Sequence, residues 1–152
     1  YLNPVAGLGG AARVLLALLA ACRSTQGAAQ AALVVCEDGP LVEQARGLGA
    51  DVSVVPMPEE LAALGDSAGK GRGGGALAVL LRSGRAGLAA RSYAWQVREA
   101  AAAFKPNVLH SNGIKTHLFT WLAPLPGVPL VWHIHDFLGE RAVAKRMRAW
   151  AS

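Results

Sequence analysis

The chain has 152 residues, of which 53% are hydrophobic and 16% charged, a balance typical of one globular domain and not of a disordered chain. Its net charge of +5 suits an anionic ligand or a lipid surface. Because it has no dense basic block interleaved with aromatic residues, we do not expect a nucleic-acid interface.

Short apolar runs alternate with helical patterns along the chain. Strands are predicted at residues 1–3, 31–36, 51–56, 107–112 and 129–134. Helices are predicted at residues 10–24 and 39–49, from about residue 76, and at 93–104, 113–123 and 139–150. The predicted apolar stripe of the first helix is Val14, Leu15, Leu18, Leu19 and Cys22, and that of the helix at 93–104 is Tyr93, Val97, Ala101 and Phe104. Between them, GDSAGKGRGGG at residues 65–75 is rich in glycine and is predicted to be a flexible loop.

This alternation, with strands that are apolar on both faces, predicts a parallel α/β sheet. Five strands in this order fit a Rossmann-like, doubly wound sheet with three α/β/α layers, in a single domain that covers residues 1–152. Such sheets bind ligands outside the carboxyl ends of their strands. Three stretches fall at such ends: the glycines of GLGG, the tetrapeptide HSNG and the tetrapeptide HIHD.

The stretch GLGGAAR, from Gly7 to Arg13, follows a predicted strand and opens a helix. Backbone amides at the start of a helix lack partners and attract anions, and glycines let a phosphate approach them closely. A contact with a phosphate or a sugar is therefore favoured, and a tight turn without a ligand is the alternative. The spacing also matches a dinucleotide fingerprint, and Glu37 or Asp38 could hold a ribose, so an NAD(P)-binding oxidoreductase domain is an alternative.

The stretch GDSAGKG invites comparison with a phosphate-binding P-loop, but its spacing is wrong. That pattern needs four residues between its glycines and Ser or Thr after the lysine. Here three residues separate the glycines and Gly71 follows Lys70, so we reject this motif.

The stretch HSNGIKTH begins in the last residues of the fourth predicted strand and continues into the helix after it. We expect Ser111, Asn112 and Lys115 to face the same cleft as the glycines, and we assign Asn112 and Lys115 to substrate binding. The alternative for Asn112 is that it caps the helix that follows. No nucleophile elbow is present, so a Ser/His/Asp triad is not expected.

The fifth strand ends in HIHD, with His133 and His135 on one face. A metal site, a hydrogen-bonded core and a ligand pocket are three possible explanations. A catalytic zinc needs three protein donors, and only His110 and His117 remain as further histidines, so a metal is disfavoured. His135 is the catalytic candidate because it lies next to the loop, and Asp136 joins the substrate-binding set.

Cys22 and Cys36 lack CxxC spacing and fall on predicted buried faces, which is typical of reduced cysteines in a cytoplasmic protein. No apolar run reaches the ~18 residues of a spanning helix, and the opening YLNPVAGLGG does not resemble a signal peptide. The basic residues of the helix predicted in GERAVAKRMRAW are explained by a face that is exposed to solvent. A peripheral contact with the inner face of a membrane is the alternative.

Four stretches together resemble the amino-terminal domain of family-4-type retaining glycosyltransferases of the GT-B fold. They are NPVAGLGGAARVLLALL, EDGPLVEQARGLGADVSVVP, FKPNVLHSNGIKTHLF and GVPLVWHIHDF. The first looks like the family's first strand, glycine pair and helix, and the last looks like its fifth strand ending in a histidine. The likeness covers almost the whole chain except residues 65–91.

The resemblance implies one half of a GT-B enzyme that transfers a hexose from a UDP- or GDP-sugar to a glycan, lipid or small-molecule acceptor. This half would receive the acceptor, and a carboxyl-terminal domain, expected to be missing from this sequence, would hold most of the donor. The fragment alone would then be inactive. The implied partners are the nucleotide-sugar, a sugar or lipid acceptor and that second domain, with no cofactor and no metal.

Residue by residue, the resemblance assigns Gly9 and Gly10 to the loop that faces the donor phosphates, and His135 to the contact with the transferred sugar. Asn112 stands where the family often has histidine, and Ala12 replaces a glutamate that is common in the opening motif. A non-catalytic binding domain is the remaining alternative.

Overall fold

The computed structural model describes residues 1–24, 29–62 and 84–135. Within these ranges the chain forms one parallel sheet in the order β3-β2-β1-β4-β5. Its strands span Leu2–Asn3 (β1), Ala32–Val35 (β2), Asp51–Val54 (β3), Leu109–Asn112 (β4) and Leu130–His133 (β5). The order reverses direction between β1 and β4, which is the topological switch point of a doubly wound sheet.

The helices connect successive strands and cover both faces of the sheet. They span Gly10–Ser24 (α1), Pro40–Gly47 (α2), Glu59–Ala62 (α3), Gly84–Ala103 (α4) and Ile114–Leu122 (α5). The predicted Rossmann-like α/β fold with three layers is therefore confirmed. The glycine-rich segment at 65–75, the helix predicted from about residue 76 and the basic helix at 139–150 lie outside the described residues.

Strand β2 shows why the sheet is buried on both sides. Leu33 and Val35 pack with α1 and α2, whereas Val34 and the adjoining Cys36 pack with α4 on the opposite face. All four are at most 4% exposed. A strand covered on both faces needs an uninterrupted apolar run, which is what ALVVC supplies.

Helix α1 forms over the predicted residues, but its buried stripe differs from the predicted one. Ala12, Leu15 and Leu19 are buried, whereas Val14, predicted to belong to the stripe, is 42% exposed. Small Ala12 is buried because it packs in the same cluster as Leu33. The tertiary contacts therefore rotate the stripe toward the i, i+3, i+7 positions.

Helix α4 begins earlier than the predicted residue 93, at Gly84. The stripe that contains Tyr93 and Val97 is buried as predicted, and the Tyr93 hydroxyl donates a hydrogen bond of 2.6 Å to the carbonyl oxygen of Val55. Lys105 adopts a left-handed conformation, with φ of 52°, immediately before Pro106. The helix thus ends before the proline, as predicted.

Both cysteines are free thiols. Cys36 is buried as predicted, and its burial raises the pKa of the thiol to about 11. Cys22 is half-buried, with its sulfur 3.4 Å from the hydroxyl of Tyr1. Among the helices described here, none is both long and apolar enough to cross a bilayer.

Candidate functional site at the carboxyl edge of the sheet

The carboxyl ends of β1, β4 and β5 lie side by side, since β4 pairs with β1 on one side and with β5 on the other. We define the carboxyl-edge site by the residues that these ends present: Asn3, Gly9, Gly10, Asn112 and His135. Gly9 lies in the loop after β1, Gly10 begins α1, and His135 lies two residues beyond the end of β5. The site therefore coincides with the switch point, where doubly wound sheets bind ligands.

The loop after β1 is held by hydrogen bonds at its start. The side-chain amide of Asn3 donates to the carbonyl oxygen of Val5. Ala6, which is 1% exposed, donates its amide to the Glu37 carboxylate over 2.7 Å and accepts a bond of 3.0 Å from the amide of Leu41. The segment after β2 thus bonds both the amide and the carbonyl oxygen of Ala6, which lies three residues before Gly9.

Gly9 and Gly10 are exposed at the start of α1, a 15-residue helix with no acidic residue in its first turn. A Cβ atom built on either glycine meets no atom of the described residues within 4 Å, and neither has a positive φ. The fold itself therefore does not require glycine at these positions. Open space beside unpaired amides at the positive end of a helix fits the binding of an anion.

Asn3, Asn112 and His135 form a chain of hydrogen bonds across three strands. Asn112 Nδ2 donates to Asn3 Oδ1 over 2.6 Å, and Asn112 Oδ1 is bonded to Nε2 of His135. Both asparagines are only 2% exposed, whereas the histidine is exposed at the edge. The two buried amides thus connect the imidazole to the loop that carries the glycines.

The turn after β4 also contacts the loop after β1. Gly113 has a φ of 124°, and a Cβ atom built there would lie 3.2 Å from Cγ of Pro4. Gly113 is the N-cap of α5, and no side chain donates or accepts a capping hydrogen bond there. The alternative that Asn112 caps this helix is therefore wrong, and the side-chain oxygen that a cap would use is bonded to His135 instead.

Ser111 does not belong to the cleft, contrary to our prediction. It is 0% exposed on the opposite face of β4, where its hydroxyl donates to Thr116 Oγ1 over 2.9 Å and lies 2.7 Å from Nδ1 of His117. Successive residues of a strand point to opposite faces, so Ser111 and Asn112 cannot both face the same side. Burial lowers the pKa of His117 to about 4, which marks it as a neutral core histidine.

Lys115 lies in the first turn of α5, and its ammonium donates a hydrogen bond of 2.7 Å to the carbonyl oxygen of Ala62, at the end of α3. An ammonium group has three N–H donors, so Lys115 can make this bond and also contact an anionic ligand. Its assignment to substrate binding stays a prediction. Asp136 lies outside the described residues.

The remaining histidines form a row beside the site. The ring centroids of His133 and His135 are 4.0 Å apart, and those of His110 and His133 are 5.3 Å apart. Burial, followed by the charge of His133, lowers the pKa of His110. Over residues 1–24, 29–62 and 84–135, no group of three or more His, Cys, Asp or Glu residues could hold a metal ion.

Glu37 and Asp38, the candidate ribose-binding residues of the NAD(P) alternative, are both engaged within the protein. Glu37 holds Ala6, and Asp38 Oδ1 accepts a hydrogen bond of 2.8 Å from the amide of Gly39. The sequence interpretation missed this role of Glu37, and it also missed Asn3. The available signal for Asn3 was a polar residue at the carboxyl end of an otherwise apolar strand.

A cavity of about 520 Å³ lies at the opposite, amino-terminal end of the strands. We do not assign the site to it, because parallel α/β sheets bind ligands at the carboxyl ends of their strands. Residues that line this cavity include Tyr1, Ala31, Asp51, Val108, His110 and Val131.

The family model described as a glycosyl transferase 4-like domain matches residues 9–152. Neither the search of curated proteins nor the search of solved structures returned a match. The comparisons give no support to the oxidoreductase alternative.

Proposed function

Because this chain belongs to the glycosyl transferase 4-like domain family, we propose that it is the acceptor-side half of a GT-B enzyme that uses a nucleotide-sugar. The donor is a UDP- or GDP-hexose, and the acceptor is a glycan, a lipid or a small molecule. A second, donor-binding domain completes the enzyme, which transfers the hexose with retention at the anomeric carbon. The protein acts in the cytoplasm.

The observation that carries this proposal is the hydrogen-bond chain from His135 through Asn112 and Asn3 to Val5. It connects a candidate sugar-binding imidazole to the loop that presents Gly9 and Gly10. A nucleotide-sugar needs both groups at once, since its sugar and its diphosphate are covalently joined.

We assign the following roles to these residues. When the bond between the anomeric carbon of the hexose and the phosphate oxygen of the donor breaks, negative charge builds up on the leaving nucleoside diphosphate. The amides at the start of α1, beside Gly9 and Gly10, stabilise that charge through hydrogen bonds and the helix dipole. His135 orients the transferred sugar by a hydrogen bond to a hydroxyl group, and Lys115 and Asp136 complete the substrate-binding surface. Asn112, assigned to substrate binding from the sequence, acts there through its hydrogen bond to His135.

The test is an assay of the intact enzyme for release of UDP or GDP from a panel of UDP- and GDP-hexoses, with and without an extract that supplies acceptors. We expect one donor to be consumed, and the turnover to fall about 100-fold in His135→Ala, the scale of removing one well-placed hydrogen-bond partner. His110→Ala is the matched control, because it removes an imidazole from a neighbouring strand. Near-normal turnover of His135→Ala would remove this residue from the site.

A titration with NADH distinguishes the proposed glycosyltransferase from the alternative, an NAD(P)-binding oxidoreductase domain. Tight binding of NADH, with no response to any sugar nucleotide, would overturn the proposal in favour of a nicotinamide-binding domain.

A further inference from the structure

We propose that the buried amides of Asn3 and Asn112, which we call the amide relay, hold the imidazole of His135 with its proton on Nε2. They are positioning residues, since they act through the histidine. The structural part of this inference is independent of the enzyme's activity, and its catalytic consequence rests on the proposed function.

The relay has a defined direction because it starts at a backbone carbonyl. The oxygen of Val5 can only accept a hydrogen bond, so the Asn3 side chain must present its NH₂ group to it. Asn3 Oδ1 is therefore the atom that faces Asn112, and it can only accept.

The same argument fixes the orientation of the second amide. Asn112 must donate through Nδ2 to Asn3 Oδ1, so its own Oδ1 is directed to His135. An amide oxygen cannot donate, and the ring nitrogen bonded to it must carry the proton. The carbonyl oxygen of Val5 thus determines which atom donates in each of the three successive hydrogen bonds, and so places the proton on Nε2 of the imidazole.

Burial makes this polarity costly to reverse. Asn3 and Asn112 are each 2% exposed, and water cannot readily replace a partner there. Flipping either amide would bring two oxygens or two NH₂ groups together away from solvent, which is the costly arrangement for buried polar groups. The exposed histidine is therefore oriented by an interior pair.

The consequence for recognition concerns the other ring nitrogen. In the neutral ring, a proton on Nε2 leaves a lone pair on Nδ1. Any hydrogen bond between Nδ1 and the sugar is then one that His135 accepts, and such a bond selects a hydroxyl group that can donate. This extends the proposed role of His135 from orienting the sugar to selecting a donating hydroxyl.

The primary test is nitrogen-15 NMR of the intact protein labelled in its histidine rings, at a pH where the His135 signals no longer shift. The signals are assigned by their loss in His135→Gln. We expect Nε2 to carry the proton, with a one-bond proton signal visible because the bond to Asn112 slows its exchange with water. Asn112→Leu, Asn3→Leu and the double variant should lose this visible signal.

Ser111→Ala is the matched control, because it removes a buried hydrogen-bonding side chain from the neighbouring position on the opposite face of β4. It should keep the signal. A proton on Nδ1 in the unmodified protein, or an unchanged Nε2 signal in Asn112→Leu, would overturn the relay whatever the enzyme does. The double variant guards against misfolding, since replacing both partners of a buried pair costs less stability than replacing one.

Turnover provides the functional arm. With the preferred donor, Asn112→Leu should lower kcat at least tenfold, while His135→Ala combined with Asn112→Leu should be no slower than His135→Ala alone. Additive losses would overturn the positioning role. If the NMR results hold while no donor is consumed by any form of the protein, the proposed function fails and the relay stands.

Discussion

The carboxylate of Glu37 accepts a hydrogen bond of 2.7 Å from the backbone amide of Ala6, which lies 31 positions earlier in the chain. Together with the bond from the Leu41 amide to the Ala6 carbonyl oxygen, it attaches the loop after β1 to the start of α2. The contact is close on the other side as well, since a Cβ atom on Gly39 would lie 3.0 Å from that of Ala6. The loop that presents Gly9 is thus positioned by a neighbouring connection as well as by the local bond from Asn3 to Val5.

This relationship predicts different effects for two substitutions at Glu37. Glu37→Ala removes the acceptor of a buried amide and should cost about 1–2 kcal/mol of unfolding free energy, whereas Glu37→Gln keeps an acceptor oxygen and should cost less than about 0.5 kcal/mol. Urea denaturation measures both. In the intact enzyme, only the alanine variant should raise KM for the donor. Glu43→Ala removes the same charge from an exposed position on α2 and serves as the control; an equal effect there would exclude the positioning role of Glu37.

Gly10→Ala should affect stability and donor binding in opposite directions. Alanine is the better helix former, and a Cβ atom at Gly10 meets no described atom within 4 Å, so unfolding should become harder by about 0.5 kcal/mol. The same methyl group would occupy the space that we assign to the donor phosphates, and KM for the donor should rise several-fold. Gly47→Ala, at the end of α2, should stabilise similarly without changing KM. An unchanged KM for Gly10→Ala would contradict the assignment.

Gly113→Ala should destabilise the protein by about 2–4 kcal/mol. Its φ of 124° and ψ of 157° lie in a region that is almost exclusive to glycine, and the added methyl group would press on the ring of Pro4. Gly127 has a φ of 78° but meets no described atom within 4 Å, so Gly127→Ala shows the backbone cost alone, about 1 kcal/mol. Chemical denaturation should show the larger loss at Gly113; equal losses would contradict the extra cost that we expect there from its backbone region and the contact with Pro4.

The stability of the protein should fall as the pH drops from about 6.5 to about 4. Burial lowers the pKa of His117 from its ordinary value of 6.5 to about 4, so in this window the unfolded chain binds a proton that the folded chain does not. Folding stability therefore rises with pH across the window, by about 1–3 kcal/mol from this residue. His110 contributes in the same direction, because burial also lowers its pKa.

Urea denaturation at several pH values tests this prediction in His117→Gln, which cannot titrate. The variant should be less stable at pH 7, and its stability should depend less steeply on pH between 4 and 6.5. An unchanged pH dependence would show that His117 is not the responsible group.

The elements and the core were largely predictable, because apolar periodicity reports burial over a few consecutive residues. The run ALVVC predicted a strand that is apolar on both faces, and Leu15 and Leu19 predicted the buried side of α1, since a strand or helix must place such side chains away from water. Val14 was assigned wrongly because periodicity does not show how far a helix is rotated against its sheet. Small Ala12 takes that place in the core.

The amide relay was not predictable in the same way. Asn3 and Asn112 are 109 positions apart, and only the pairing of β1 with β4 brings their side chains together. Local sequence made Asn112 look like a helix cap and Ser111 look like a cleft residue. Adjacent strand residues point to opposite faces of the sheet, and the local sequence does not show which face of β4 is covered by a helix. The sequence by itself therefore determined that polar side chains would collect at the carboxyl ends of the strands. The strand order decided which of them would meet, because a hydrogen bond needs two groups within about 3 Å and only the folded sheet sets that distance.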